Sequence, residues 1–343
     1  MSLILLGTNH KYSSIDFREN IFISRKMRDK LYLKFSNLRN FKGVAFVATC
    51  NRIELYADVE DKQIAINQIF RVFESELGLR LENYKNNFYI YQNKEVLKHL
   101  CNVSSGLDSL ILGETQILGQ VKSFFSEAKA KKRVNFSLKY LFNSAIYAAG
   151  YVQRKTNISK GKISLGSIAV SFAERKLDSL NNKNILIVGA GKVTTLILKY
   201  LNQKKNKVVF VANRTYQKAQ KLAKTIGAEA VSFDNLGKYL KVTDLLISAT
   251  ASPHFIFKKE DLANLDKKQL LILDLALPRD VEPTAAELGS ISLFTIKDLE
   301  FLVEENTRKK NKEAKEAEKI IAGRVESVWE KFIKLVAEPA ALL

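Results

Sequence analysis

Hydrophobic and polar positions change period several times along the chain, and each change marks a predicted element. An apolar run at 3–6 predicts a short strand, and 3.6-residue spacing over 24–38 predicts a helix with Ser24 as its N-cap. Strands follow at 44–48 and 53–59, a helix at 63–77 and a strand at 88–91. Helical patterns then cover 94–102 and run from 115 to about 154. A second regime starts near Ser164: helix 167–179, strand 184–188, a glycine-containing turn, a helix to Leu201, strand 208–212, helix 215–226, and strands at 245–248 and 270–274. From 297 to 336 there is no proline and one glycine, Gly323. Apolar positions there include Leu299, Leu302, Val303, Ile320, Ile321, Val325, Val328 and Phe332, so the stretch predicts one helix of about 60 Å.

The first order, β-α-β-β-α-β, is the split βαβ pattern of ferredoxin-like folds and predicts an α+β domain. Strand and helix alternating in the second regime predict an α/β domain of Rossmann type with a doubly wound parallel sheet. The expected boundaries are 1–158 for the first domain, 159–294 for the second and 295–343 for the long helix. Residues 304–319 of that helix are almost wholly charged, which predicts a segment crossing solvent or resting on another chain.

Composition narrows the class. With 343 residues, 46% hydrophobic, 27% charged, 15 Gly and 4 Pro, the chain is neither disordered nor collagen-like, and it holds two or three domains with real cores. The apolar run at the N-terminus is too short for a secretory signal, and no apolar stretch approaches membrane-span length, so the expectation is a cytoplasmic protein without membrane contact. Two cysteines, Cys50 and Cys101, exclude a disulfide framework, and three widely spaced histidines, His10, His99 and His254, give no zinc pattern; no metal is expected. The 55 Lys and Arg against 36 Asp and Glu give +19, which attracts polyanions. A lysine-rich bias explains the excess equally well, although basic runs at 129–133 and 308–312 favour nucleic acid.

Gly189-Ala190-Gly191, followed by Lys192, Val193 and Thr194, comes directly after an apolar strand and opens a helix. In that context the first glycine makes the tight turn and the second lets the backbone approach a pyrophosphate. Thr194 stands at the third glycine position, so a plain strand-turn-helix stays open. The next strand ends in Asn213-Arg214-Thr215, where an arginine suits a 2′-phosphate and favours NADP(H) over NAD. Arg214 as a solvated side chain beside a helix cap is the alternative. Cys50 lies in the tight connection Thr49-Cys50-Asn51-Arg52, whose donors and positive charge favour thiolate; a structural turn is the competing reading. Residues 104–122 hold three glycines and many polar groups, with Gln116 and Gln120 on one helix face, which suits a small polar ligand or a capped helix-loop-helix.

Together these residues carry a resemblance. The runs at 7–11 and 49–56, the run 106–122, Ala212 to Thr215, 248–253 and 274–283 resemble the glutamyl-tRNA reductase family in order and spacing, over about residues 1–335. The resemblance implies NADPH-dependent reduction of glutamyl-tRNA to glutamate-1-semialdehyde, the entry to tetrapyrrole synthesis. It makes Cys50 the nucleophile that forms a thioester and His99 a residue important for activity, although His99 beside Leu97 and Leu100 equally suits a core. Thr49, Asn51 and Arg52 would hold the glutamate, Arg52 as a carboxylate fork, and Ser109, Glu114, Thr115, Gln116 and Gln120 would complete the pocket, Glu114 reading the α-amino group. Gly189 to Thr194 would hold the NADPH pyrophosphate. The partners implied are glutamyl-tRNA and glutamate-1-semialdehyde aminomutase.

This sequence departs from the family at position 115, Thr in place of Pro. It ends at Leu343 where the family continues into a helical dimerisation domain. The expectation is a truncated dimerisation region, with the homodimer reduced to pairing through Ile320, Ile321, Val325, Val328 and Phe332. Two other readings stay open on the residues: a shikimate-dehydrogenase-like NADP oxidoreductase, which leaves the Cys50 turn without a role, and a non-catalytic tRNA-binding regulator.

Overall fold

Period-two burial organises the first half of the chain. The computed structural model describes residues 2–78, 80–159, 164–203, 208–265, 269–299, 302 and 310–337. It divides into two units, Met1–Gly161 with Thr307–Leu343, and Lys162–Asn306.

In the first unit β1 (Ser2–Asn9) leads to α1 (Ile15–Asn20) and α2 (Arg25–Ser36), then β2 (Phe41–Ala48), β3 (Arg52–Val59), α3 (Lys62–Leu77) and β4 (Tyr89–Gln92). The strands pair antiparallel in the order β2-β3-β1-β4, the ferredoxin-like arrangement the element order predicts. Three helices follow: α4 (Lys94–Ser104), α5 (Gln116–Ala130) and α6 (Phe136–Lys155). They cover the second face of the sheet, so β3 is buried along its whole length. Its alternation sorts residues by chemistry. Leu55 pairs with Phe46, whose ring meets Tyr32 of α2 at 5.0 Å, an apolar layer. Arg52, Glu54, Tyr56 and Asp58 face the other way; Tyr56 meets Phe142 of α6 at 5.2 Å, and Asp58 accepts from Asn135 at 2.7 Å. The short α1, capped by the Ser14 side chain, lies outside the elements expected from hydropathy.

The second unit begins with α7 (Leu165–Leu177), where Ser164 and Ser167 cap each other. Then come β5 (Asn184–Val188), α8 (Lys192–Gln203), β6 (Val208–Ala212), α9 (Tyr216–Lys224), β7 (Glu229–Val231), α10 (Leu236–Leu240), β8 (Leu245–Ser248), α11 (Lys259–Ala263), β9 (Leu270–Asp274) and β10 (Ile291–Thr295). All six strands run parallel in the order β10-β9-β8-β5-β6-β7. The winding reverses between β5 and β8, and their carboxyl ends flank the crevice where such sheets take ligands.

The last helix, α12, covers Asn311–Ala337, 27 residues and about 40 Å. The sequence predicts one helix from 297. Instead Ile296–Leu299 forms a 3-10 turn, and positions 300, 301 and 303–309 of the expected helix lie outside the described residues. The apolar stripe also departs from expectation. Ile321, Val325 and Phe332 are buried in the core of the first unit, Ile320 and Val328 pack against that core, and the helix rests on α4 and α6. Tyr140 and Phe332 meet at 5.3 Å. Each buried side chain of this size contributes about 1.5–3 kcal/mol, so the stripe expected to pair with a second chain holds the helix to its own unit. Among the described residues no helix is long and apolar enough to cross a membrane.

Candidate active site

Cys50 sits at the tip of the β2–β3 connection. The Thr49 N–H donates to the Arg52 carbonyl at 2.8 Å, and the Asn51 N–H to the Thr49 hydroxyl at 3.2 Å, which closes the turn around the cysteine. The end of β1 is tied to it, because the His10 N–H donates to the Asn51 carbonyl at 3.1 Å. Cys50 itself is half-buried. Burial first, and then the Glu114 carboxylate, push its thiol up to about 11, while Arg18 pulls the other way. The expectation that Arg52 favours the thiolate is therefore corrected. Strand alternation turns the Arg52 side chain onto the Glu54 face, and the nearby cation acting on the sulfur is Arg18.

Arg52 is 1% exposed and fully engaged. Its Nη1 donates to Glu54 Oε1 at 2.6 Å and to Asp108 Oδ2 at 3.2 Å, and its Nη2 donates to the Asp108 carbonyl and carboxylate. Lys11, at 2.5 Å, and Asn9, at 3.2 Å, also hold Asp108. The fork expected to receive a glutamate carboxylate thus holds the Asp108 carboxylate in this structure.

Glu54 also accepts from the Tyr56 and Tyr89 hydroxyls, each at 2.6 Å, and lies 2.8 Å from His99 Nε2. Burial opposes its charge, but Arg52, His99 and these hydrogen bonds hold it well below the usual carboxylate range. The His99 ring lies beside Tyr89 and Tyr91, with centroids 5.3 and 5.0 Å away. It is joined to the Cys50 turn through Glu54 and Arg52.

The second wall is the loop from Ser105 to Thr115. The Gly113 N–H donates to the Gly106 carbonyl at 2.9 Å, and Gly113 has φ +77. A Cβ on Gly113 would lie 2.1 Å from the Ile158 carbonyl oxygen, so only glycine fits. Lys310, just before α12, donates to that same oxygen at 2.7 Å and to the Leu112 carbonyl at 3.4 Å. Ser109, Glu114, Gln116 and Gln120 are half-buried and Thr115 is exposed. Burial raises the Glu114 carboxyl to about 7. A separate cavity of about 620 Å³ opens between α4, α6 and α12, lined by Cys101, Tyr140 and Arg324 among others, and it includes none of the Cys50 turn.

In the second unit Gly189 follows β5 with φ +116, and a Cβ there would lie 2.5 Å from the Ala249 carbonyl oxygen. Its N–H donates to the Ala212 carbonyl at 2.9 Å, so the β5 and β6 ends that carry Ala190 to Thr194 and Asn213 to Thr215 are held together. Thr194, in the first turn of α8, is fully buried with its hydroxyl unpartnered. Arg214 is exposed. A tight glycine cradle, a helix N-terminus and an unsatisfied hydroxyl fit a dinucleotide pyrophosphate.

Asp280 fastens the neighbouring loops, accepting from the Ser248 hydroxyl at 2.6 Å, the Thr250 N–H at 3.0 Å and the Thr250 hydroxyl at 2.5 Å. Asp274, raised to about 7 by burial, accepts N–H groups of Ala276, Asp280 and Val281. Among the described residues no group of three or more His, Cys, Asp or Glu could hold a metal ion.

Sequence reasoning missed Arg18, Glu54, Asp108 and Asp280. Period-two alternation would have found Glu54 beside Arg52. Arg18 stands on a helix of six residues, too short to show a period.

Residues 6–156 match the family model described as glutamyl-tRNAGlu reductase, N-terminal domain, and residues 171–302 match that described as shikimate / quinate 5-dehydrogenase. The chain is 40% identical to glutamyl-tRNA reductase from Methanobrevibacter smithii, over 96% of this chain and 79% of that one. It is 38% identical to the enzyme from Archaeoglobus fulgidus, over 96% and 73%. The solved glutamyl-tRNA reductase from Methanopyrus kandleri aligns over 97% of this chain and 81% of its own, with 33% identity and a TM-score of 0.53.

A ferredoxin-like unit bearing a cysteine turn, on one chain with a nicotinamide-nucleotide Rossmann unit, defines an oxidoreductase. The chain belongs to the glutamyl-tRNA reductase family, the enzymes that open tetrapyrrole synthesis.

Proposed function

We propose that this protein reduces the glutamyl group of glutamyl-tRNA to glutamate-1-semialdehyde through a thioester on Cys50, with NADPH as reductant. The observation that carries the reading is the meeting of two distant segments: the Cys50 turn and the loop bearing Ser109 and Glu114, joined where Arg52 donates to the Asp108 main chain and carboxylate. The Cys50 thiol loses its proton and its sulfur bonds to the ester carbonyl carbon. The carbon–oxygen bond to the tRNA ribose then breaks, and the leaving ribose oxygen takes up a proton, balancing the one the thiol lost. Thr49, Asn51, Ser109, Gln116 and Gln120 orient the acyl group, and Glu114 pairs with its α-ammonium.

When bound, the nicotinamide supplies a hydride donor, with Arg214 reading the 2′-phosphate. After reduction the carbon–sulfur bond breaks, and Cys50 leaves as thiolate and regains a proton. The net charge of +19 suits tRNA phosphates, in a cytoplasmic setting. The labile aldehyde calls for a docked aminomutase to receive it.

The test is a single turnover with glutamate-labelled glutamyl-tRNA, with and without NADPH, in wild type and Cys50→Ser. Label should stay on the wild-type protein without NADPH and leave as aldehyde with it. Equal labelling of Cys50→Ser overturns the thioester.

A further inference from the structure

Arg18 is a buried cation outside the sequence motifs, and it touches the nucleophile's own main chain. It stands on α1, 7% exposed. Its Nε donates to the Cys50 carbonyl at 3.3 Å, and its Nη1 donates to the Ser13 carbonyl at the start of the same helix. Ser13 is itself fixed, because its hydroxyl donates to the Asn9 carbonyl at 3.1 Å and accepts from the Thr8 hydroxyl at 2.9 Å. The guanidinium therefore spans from the exit of β1 to the tip of the β2–β3 turn, and the last residues of β1 are locked to it.

The other charges near the sulfur do not duplicate this one. Arg52 is committed to Glu54 and Asp108. His10, whose N–H holds the Asn51 carbonyl, is kept neutral: burial first, and then Arg52, lower it to about 4. Lys11 is paired with Asp108. Glu114, from the loop before α5, acts on the sulfur with the opposite sign.

We propose that Arg18 is a positioning residue for Cys50: it pins the nucleophile's turn through the main-chain oxygen and supplies the positive charge toward which the sulfur ionises. This deepens the reading of Cys50 as nucleophile and rests on it. A lysine at position 18 keeps the charge but loses the fork, whereas glutamine loses the charge.

The experiment is alkylation of Cys50 by iodoacetamide on the full chain, assigned by peptide mapping so that Cys101 is scored separately. It is followed from about pH 7 to about pH 10, where the rate tracks the thiolate fraction. Folding of each variant is checked by circular dichroism. Arg18→Gln should slow alkylation roughly tenfold at every pH in this range, and Arg18→Lys should stay within about twofold of wild type. A folded Arg18→Gln that alkylates at the wild-type rate overturns the proposal. If the glutamine variant does not fold, the lysine variant decides: a wild-type rate supports the charge, and a tenfold loss overturns it. Alkylation needs neither tRNA nor NADPH, so this result is independent of whether the thioester turnover succeeds.

Discussion

His99 and Glu54 are hydrogen-bonded, Nε2 to Oε1 at 2.8 Å, and the same oxygen takes Nη1 of Arg52 at 2.6 Å. A histidine of α4 and an arginine of β3 thus share one buried acceptor. Replacing Glu54 with glutamine leaves buried Arg52 with the Asp108 carboxylate as its remaining charged partner, and losing a hydrogen bond to a charged group costs about 1.5–3 kcal/mol. Urea unfolding of Glu54→Gln should show that loss. The pH dependence has a definite sign. Glu54 is held below its unfolded value, so its contribution is complete above the ordinary glutamate range and falls away as pH drops below about 4. The acid limb of stability should be steeper in wild type than in Glu54→Gln.

Glu114 titrates in a different window. With its carboxyl raised to about 7, it is neutral below that pH and charged above it. Pairing with an α-ammonium needs the charged form, so KM for glutamyl-tRNA should fall as pH rises through about 7. Steady-state kinetics of Glu114→Gln should lose that limb while keeping any limb due to the substrate amine.

Gly113 admits no side chain. Alanine there would drive its Cβ into the Ile158 carbonyl at 2.1 Å and strain a backbone at φ +77. Overpacking of this kind costs about 1–3 kcal/mol. Gly113→Ala should lower Tm and also raise KM for glutamyl-tRNA, because the displaced segment leads directly into Glu114.

Arg214 tests cofactor choice. Hydrogen bonds to a charged partner are worth about 1.5–3 kcal/mol, so Arg214→Ala should raise KM for NADPH roughly ten- to a hundred-fold. KM for NADH should stay nearly unchanged, and an equal rise for both would assign Arg214 to general nucleotide binding.

Much of this architecture is legible in the residues because buried parallel strands read as apolar runs. The strands β5, β6, β8 and β9 lie on the stretches that hydropathy marks. The edge strands β7 and β10 escape the same reading. The first has three residues, and the second carries Ser292 and Thr295 among its apolar positions. At the candidate site the Cys50 turn and the 106–120 loop are both visible, but their junction is not. Arg52 meets Asp108 across 56 positions of sequence, and nothing local in either segment names its partner. The destination of the α12 stripe is hidden for a related reason: the spacing of Ile321, Val325 and Phe332 shows that a face is apolar without showing what covers it.

The ammonium of Lys310 bears on where this protein could be cut. It satisfies the Ile158 and Leu112 carbonyls from 152 and 198 residues further along the chain, respectively. A fragment ending just after Ile158 would carry every residue assigned to glutamate and yet be unfinished. It would leave those two oxygens without their shared donor and open the helical layer of α4 and α6 to water where Phe332 and Val325 now lie. The natural cut runs around the nucleotide-binding half rather than before it: remove 162–306, rejoin the flanks, and the remainder is the first unit, which Lys310 and the α12 stripe help to complete.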